Sequence, residues 1–477
     1  MHLRPYQTET LNRCRQAYRD GASRVILQAS TGAGKTAMAS VVCRNATAKG
    51  SRVLYVVHRD EILKQTEKAL APCKVSLLTA GKRANVITPG TVLLASAQTL
   101  SRRDVPEHDL LVWDEAHVYH AAQQRVQAAR PAKALLLTAT PARTDGKPLG
   151  DIADAIVLGP AMVDLIAGGY LVPAVVYGAP SPDMHDVPVR GGEYAQGPAE
   201  QAARRLVGSV PDAWLRHAAG RRTVLFAAGV KHSRECVAAL TMAGVRAIHV
   251  DGESSVADRA AAFAALRAHE VDVLCNVGLA VEGLDIPEIA AVYWARATAS
   301  VAVYLQGTGR GMRPADGKSD LIVIDGGGNA YRHGLPEEPR EWTLAGRVAR
   351  SAAERALRTC AECLAIYAPT LPACPRCGAV PVVQARRGPQ TVGSELVVLT
   401  AAEVGRRAKA LSCATPPRPA PSWTQTGDGG IFDEWATELW ARLERKRQRD
   451  GYALGDGSRA HPGWTAVQWH RIVGGRR

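Results

Sequence analysis

The sequence predicts an α/β protein with two tandem parallel-sheet domains, a C-terminal Cys₄ module and a basic extension. Over about the first 330 residues, short apolar runs alternate with helical stretches, a rhythm typical of strands buried on both faces of a parallel sheet. The rhythm breaks between residues 172 and 215, where Pro and Gly recur, and then resumes. Two Cys-x-x-Cys pairs follow it. We therefore expect domains at 1–163, 164–335, 336–390 and 391–477.

Composition narrows the classes of function. The chain of 477 residues carries a formal net charge of +14, mostly from Arg, which favours a polyanionic partner such as nucleic acid. No apolar run is long enough to span a bilayer, so no membrane partner is expected. The ten cysteines are not spaced like a secreted disulfide scaffold, which fits a reducing cytoplasm and one metal site.

The first element is a strand, a Gly-rich turn and a helix start. The apolar run 25–27 leads into Ala29-Ser-Thr-Gly-Ala-Gly-Lys35-Thr36, and a helix is expected from Thr36 to about Ala48. Glycines let backbone N–H groups approach an anion, and the helix N-terminus adds positive charge. Lys35 would reach the β- and γ-phosphates and the Thr36 hydroxyl would bind Mg²⁺. The P-loop pattern has Gly where this chain has Ala29.

Four further buried strands are predicted in the first half, at 53–57, 92–96, 110–113 and 134–137. The third ends in Asp114-Glu115. Asp114 can hold Mg²⁺ opposite Thr36, and Glu115 can polarise the water that attacks the γ-phosphate. Upstream, Gln7 carries an amide whose donor and acceptor suit adenine.

The second half resumes with predicted strands at 223–226, 245–250, 271–275, 291–294 and 321–324, and with helices at 233–242 and 256–268. Gln306 then precedes Arg310 and Arg313, which are spaced to lie on one side of a helical turn. Arginines from a second domain could meet the γ-phosphate when the cleft closes, as an arginine finger supplied in cis.

These segments together resemble the motifs of superfamily 2 helicases over residues 1–330. Ala29–Thr36 resembles motif I, Asp114–His117 reads DEAH, Thr138–Thr140 reads TAT, and 306–313 resembles motif VI. The resemblance is closest to the DNA-repair-type branch that includes XPB, UvrB-like and type III restriction helicases and small phage relatives. It implies two RecA-like domains, ATP and Mg²⁺ as cofactors, DNA as the nucleic acid, a monomer, and a bacterial or phage-encoded cytoplasmic protein.

The resemblance also implies roles for individual residues. The catalytic residues would be Lys35, Glu115, Gln306, Arg310 and Arg313. The nucleotide would be bound by Gln7, Thr31, Gly32, Ala33, Gly34, Lys35, Thr36, Asp114, Gly283 and Asp285. Nucleic acid would be contacted by His58, Arg59, Gln98, Thr99 and Asn276.

The tail predicts a zinc site. Cys360, Cys363, Cys374 and Cys377 form two knuckles ten residues apart, the spacing of a compact Cys₄ zinc ribbon. A redox dithiol is the alternative. A basic helix is expected at about 344–358, and a mainly helical, Trp-containing extension at 391–477. Two other functions stay open: an RNA helicase, and a nucleic-acid-binding scaffold with a vestigial ATPase.

Overall fold

A computed structural model of the protein describes residues 2–58, 63–71, 73–78, 86–118, 120–129, 132–143, 147–278, 286–347 and 357–381. The predicted Arg59, Gly283 and Asp285 and the whole extension 391–477 lie outside these residues. Among the described residues, no helix is long and apolar enough to cross a membrane.

The first half forms a parallel sheet of seven strands with helices packed against it. The strands are β1 (Arg24–Gln28), β2 (Val53–Val57), β3 (Val75–Leu78), β4 (Val92–Ser96), β5 (Leu110–Trp113), β6 (Lys133–Thr138) and β7 (Ala155–Leu158), in the spatial order β3-β4-β2-β5-β6-β1-β7. The helices are α1 (Pro5–Arg19), α2 (Lys35–Thr47), α3 (Leu63–Ala69), α4 (Ala97–Leu100), α5 (His120–Ala129) and α6 (Met162–Ala167).

The second half forms a parallel sheet of six strands, in the order β12-β13-β11-β14-β15-β8. Its strands are β8 (Ala174–Gly178), β11 (Thr223–Phe226), β12 (Ala247–Val250), β13 (Val273–Asn276), β14 (Ala291–Trp294) and β15 (Leu321–Asp325), with the hairpin β9 (Val189–Arg190) and β10 (Glu193–Tyr194) beside them. The helices are α7 (Gln196–Arg204), α8 (Val210–Ala218), α9 (Val230–Met242), α10 (Val256–Ala268), α11 (Val301–Gly311) and α12 (Asn329–His333).

Both sheets are buried on both faces, which explains the continuous apolar runs. In β2, Val53 and Tyr55 point into one core cluster while Leu54 points into another on the opposite face. In β11, Val224 and Leu225 divide in the same way. Since alternate residues of a strand face opposite sides, every position must be apolar when helices cover both sides. The predicted tandem RecA-like architecture is confirmed.

A segment after α12 runs back to the first domain. We call residues 334–344 the strap. Arg340 shapes it by donating hydrogen bonds to the backbone carbonyls of His333, Leu335, Pro336 and Glu338. Trp342 is buried, and Leu344 O accepts hydrogen bonds from the backbone N–H groups of Leu149 and Gly150. The strap therefore joins the second sheet to the first.

The helix predicted at 344–358 is wrong at its start. Instead, the strand β16 (Trp342–Thr343) pairs antiparallel with β17 (Gly346–Arg347). This segment stays against the first domain at the end of the strap, so it does not form a separate amphipathic helix. Residues 348–356 lie outside the described part. The last two strands, β18 (Arg358–Thr359) and β19 (Ile366–Tyr367), form a hairpin in the Cys₄ module.

Candidate nucleotide site at the domain interface

The loop between β1 and α2 has the conformation that an anion cradle needs. Gly32 and Gly34 have φ values of 89° and 84°, in the left-handed region that favours Gly. A side chain at Gly34 would also meet Gln7 Nε2 at 2.4 Å. Lys35 begins the helix, and its Nζ lies 3.3 Å from the carbonyl oxygen of Ala29. The lysine therefore crosses the loop where phosphates would sit.

Ala29 replaces the usual Gly without disturbing the loop. Its backbone N–H donates to Thr138 O at 3.0 Å, as a continuation of the sheet. The Ala29 methyl group is buried. It has room because Gly159, whose backbone passes close by, has no side chain. The departure from the P-loop pattern is therefore accommodated by a glycine in another segment.

Residues from both sheets line one cavity of about 270 Å³. The first domain contributes its loop residues Thr31, Gly32, Gly34, Lys35 and Thr36, together with His58, Gln65, Thr66, Ala69, Asp114 and Glu115; the second contributes Gln306, Arg310 and Arg313. All five predicted catalytic residues are thus brought together. Gln65 and Thr66, on α3, belong to no motif and could not be singled out from the sequence.

Asp114 and Glu115 follow β5 at the floor of this cavity. Burial raises the pKa of Asp114, the neighbouring Glu115 raises it further, and Lys35 and His58 act against the rise. Asp114 Oδ1 accepts the backbone N–H of Glu115 at 3.0 Å. Glu115 has a φ of 50°, a left-handed conformation that is strained for a residue other than Gly. The Thr36 hydroxyl and the Asp114 carboxylate are the oxygen ligands that Mg²⁺ prefers, so the site fits this ion.

A chain of polar contacts connects the two domains across the cavity. Gln306 Nε2 lies 3.4 Å from Glu115 Oε2 and 3.5 Å from His117 Nε2. His117 Nδ1 in turn lies 3.1 Å from Thr138 Oγ1, and the same hydroxyl accepts the N–H of Thr140. The DEAH and TAT segments of the first domain and the Gln306 segment of the second are therefore linked through one histidine.

Gln7 lies on the phosphate loop rather than in open space. Its Nε2 donates to Ala33 O at 2.9 Å, and its Oε1 accepts the backbone N–H of Arg4 at 2.9 Å. The Tyr6 hydroxyl donates to the same Ala33 carbonyl at 3.0 Å. Helix α1 thus supports the loop through two side chains, of which the sequence had indicated only Gln7.

The predicted nucleic-acid contacts are not placed on one surface. His58 is buried in the cavity wall beside Lys35 and Asp114. Asn276 is fully buried, and its Nδ2 donates to Leu225 O at 2.9 Å. Gln98 is exposed, while Thr99 lies partly covered within α4, where its backbone N–H donates to the hydroxyl of the N-cap residue Ser96 at 3.2 Å. Of the described members of this set, Gln98 lies most openly on the surface.

The four cysteines of the tail form one cluster. The Sγ atoms of Cys360, Cys363, Cys374 and Cys377 all lie within 4.8 Å of one another, which fits a tetrahedral site with four thiolates and no open position. The cluster is joined to the second sheet. Tyr177 of β8 bridges to Ala365, and the Tyr177 hydroxyl accepts a hydrogen bond from Arg376 Nε at 3.1 Å.

Comparison with known proteins agrees with this architecture. The family model described as "Type III restriction enzyme, res subunit" matches residues 1–143, and "Helicase conserved C-terminal domain" matches residues 205–315. A 51.5 kDa protein of a Lactococcus phage (isolate 7-9) is 30% identical over 325 residues, which cover 66% of this chain and 68% of the phage protein.

Two further likenesses extend the comparison. A Schizosaccharomyces pombe protein that bears the name of a mitochondrial ATP-dependent helicase, irc3, is 30% identical over 72% of this chain and 60% of its own length. A fragment named for the HsdR subunit of a type I restriction enzyme from Vibrio vulnificus YJ016 superposes with a TM-score of 0.54 at 19% identity, covering 73% of this chain and 71% of the fragment; this likeness concerns the fold.

The chain therefore belongs to the superfamily 2 helicases, in the branch of the type III restriction enzymes. Membership confirms the predicted class of enzyme, an ATP-hydrolysing helicase that uses ATP and Mg²⁺ and binds nucleic acid.

Proposed function

We propose that this chain is an ATP-dependent DNA helicase or translocase that hydrolyses ATP between its two parallel-sheet domains. The observation that carries the proposal is the composition of one cavity, in which Lys35, Asp114 and Glu115 of the first domain face Gln306, Arg310 and Arg313 of the second. A site divided between two domains closes only when they approach, so hydrolysis can be coupled to domain motion.

Each residue takes a separate part in this reaction. Lys35 and the loop backbone bind the β- and γ-phosphates. Thr36 and Asp114 would hold Mg²⁺, which would neutralise charge on the phosphates. Glu115 orients the attacking water. Gln306, whose Nε2 lies 3.4 Å from Glu115 Oε2, holds that carboxylate in place. Arg310 and Arg313 stabilise the charge that develops on the transferred phosphoryl group. Gln7 supports the loop and, in the predicted role, contacts adenine.

Several finer features belong to the same proposal. DNA is the proposed nucleic acid, because the first half matches a restriction-enzyme model. We propose a monomer, with the motor domains at 1–163 and 164–335, the ribbon at 336–390 and the extension at 391–477. We also propose that the Cys₄ cluster holds a structural Zn²⁺, since all four thiolates converge and leave no position for substrate.

The test is ATPase activity measured side by side with single-stranded DNA, duplex DNA, forked DNA and RNA at one salt concentration. We expect DNA to stimulate turnover by at least about tenfold and RNA to stimulate it less. Stronger stimulation by RNA would replace the proposal with an RNA helicase, and no turnover under any condition would favour a scaffold with a vestigial ATPase.

A matched variant connects the activity to this cavity. Glu115→Gln keeps the shape of the side chain and removes the carboxylate that orients water, so turnover should fall by at least about 10³-fold while ATP and DNA are still bound. Full turnover in this variant would place hydrolysis elsewhere.

A further inference from the structure

Helix α11 of the second domain packs against the Thr31 side chain of the phosphate loop at a glycine, Gly309. A methyl group built on Gly309 would lie 2.7 Å from Thr31 Cβ and 3.2 Å from Thr31 Cγ2. Carbon atoms in contact are normally about 3.5–4.0 Å apart. The Thr31 side chain therefore occupies the space that a side chain at position 309 would need.

The two neighbouring glycines of α11 point elsewhere. A methyl group at Gly307 would meet the Trp294 ring at 2.7 Å, and one at Gly311 would meet Leu321 at 2.6 Å. Trp294 and Leu321 belong to the second sheet, so these two glycines pack the helix onto its own domain. Of the three, Gly309 faces the other domain.

Glycine inside a helix is costly, by about 0.5–1 kcal/mol relative to Ala. Three of the eleven residues of α11 are glycines, so each of them should have a packing contact that explains it. For Gly307 and Gly311 the reason is the fold of the second domain. For Gly309 the local fold offers no such reason, because the atom it would strike is in the phosphate loop.

The contact lies next to the residues that complete the site. Arg310 follows Gly309 directly, and Arg313 lies close enough that a methyl group built on Gly32 would be 3.5 Å from its Cγ. The C-terminal end of α11 is also fixed, because Met312 O accepts the N–H of Val172 at 2.8 Å. A displacement of α11 at position 309 would therefore move Arg310, which belongs to the helix, and would act on Arg313 through the two residues that connect them.

We propose that Gly309 is a positioning residue: by letting α11 rest directly on Thr31, it sets how far Arg310 and Arg313 reach into the nucleotide cavity. The inference rests on the proposed function of that cavity. A methyl group at 309 would hold loop and helix about 1 Å further apart, since 2.7 Å must grow to an ordinary contact distance. A misplacement of about 1 Å can cost about 10²-fold in rate.

The experiment compares Gly309→Ala with the wild type in DNA-stimulated turnover and in binding of a fluorescent ATP analogue. We expect kcat to fall by about 10²-fold, while the analogue affinity, which depends mainly on the first domain, changes by less than about threefold. The larger Gly309→Val should lower kcat further. Wild-type kcat in both variants would overturn the inference.

A structural role for Gly309 would give a different pattern. Gly307→Ala strikes its own domain, so it should lower the melting temperature, whereas Gly309→Ala should melt within about 2 °C of wild type. If Gly309→Ala melts as early as Gly307→Ala, the residue supports the fold and the inference is wrong.

A double-mutant cycle identifies the partner. Thr31→Gly removes the atom that a methyl at 309 would strike, so the loss of kcat caused by Gly309→Ala should shrink from about 10²-fold to less than about tenfold in that background. An unchanged loss would exclude Thr31 as the partner. The proposed function is tested separately by wild-type turnover and its loss in Lys35→Ala: if these hold and Gly309→Ala behaves as wild type, the positioning inference alone fails.

Discussion

At the scale of single residues, the proposed nucleotide site combines side chains of the first domain with side chains supplied by the second. Lys35, Asp114 and Glu115 belong to the first domain. Burial removes water from the Asp114 carboxyl group and thereby raises its pKa. A bound cation would replace that water, which gives the pair of carboxylates a reason to be buried together. Arg310 and Arg313 come from the other domain, so their contribution depends on closure.

The first residue-scale prediction concerns those two arginines. Arg310→Ala or Arg313→Ala should lower kcat by about 10³-fold or more, and nucleotide affinity by far less, because the guanidinium groups act on charge that appears in the transition state. Arg216→Ala, on the exposed surface of α8, is the matched control and should turn over at the wild-type rate. Normal kcat in both cavity variants would mean that α11 does not complete the site.

The second prediction concerns pH and His232 in α9. Its Nδ1 accepts the Ala228 N–H at 3.1 Å, and burial lowers the pKa of His232 to about 4, against the opposing effect of Glu200. In the unfolded chain the pKa is about 6.5. Below pH 6.5 the unfolded chain binds a proton that the folded chain does not. Stability is therefore fully present above pH 6.5 and is lost as the pH falls towards the folded pKa.

The measurement is urea unfolding at pH 7.5 and pH 5. The wild type should lose about 2 kcal/mol more of its unfolding free energy between these pH values than His232→Gln, whose amide can still accept the Ala228 N–H but does not titrate. Equal losses in the two proteins would show that His232 is not the group responsible.

At the scale of elements, the Cys₄ module packs against the second domain. Cys360, Cys374 and Tyr367 share a core cluster with strands of the second sheet, and Gly178 N donates to Leu364 O at 3.1 Å. The strand β8 is the last strand of its sheet, and exposed edge strands invite pairing with other chains. The module covers that edge.

The element-scale prediction follows from this contact. Wild-type protein purified without added metal should carry one zinc per chain by elemental analysis. Cys363→Ser should lose it and melt earlier, since structural zinc typically supplies about 10–16 kcal/mol of apparent binding free energy to its module. Cys73→Ser, a change at a cysteine outside the cluster, should keep both zinc and melting temperature. Zinc-free wild-type protein would contradict the prediction.

The fold was predictable where neighbouring residues alone determine structure. Strands such as Val53–Val57, Val92–Ser96 and Leu110–Trp113 and the helix Val256–Ala268 have the predicted bounds, because apolar runs and turn residues are local signals. The edge strands Val75–Leu78 and Ala174–Gly178 carry weaker signals. The first is partly exposed, and the second depends on pairing with a strand about 150 residues away.

The site was predictable for the same reason, up to the contacts that join distant segments. Lys35, Asp114 and Arg310 could be found because each lies in a motif with fixed spacing. The bond from Gln7 to Ala33, the contact of Gly309 with Thr31 and the burial of Asn276 depend on how segments meet in space, and no local pattern encodes them.

At the scale of the whole molecule, the prediction concerns residues 384–477. They contain 15 Lys or Arg, nine Asp or Glu and five Trp, and the cavity residues all lie outside them. A chain ending at Val383 should keep basal ATPase activity but bind DNA more weakly. Its slope of log affinity against log salt should also be shallower by about two or more, because fewer counterions are released.

The point of truncation matters for this experiment. Ending the chain at Asp325 would also remove the strap and the Cys₄ module, which contact the first and second sheets respectively, so the shortened protein must end after them. A folded chain ending at Val383 with wild-type affinity and salt slope would show that the extension does not bind DNA.

The strap has a mechanical consequence for the motor. The chain passes from the first sheet to the second between Leu158 and Ala174, and it returns through the strap to Leu149 and Gly150. A body held by a single tether can swivel in any direction, whereas one held at two separated points can turn only about the line between them. The linker and the strap would therefore restrict the directions in which the second domain can move when the proposed nucleotide cleft opens.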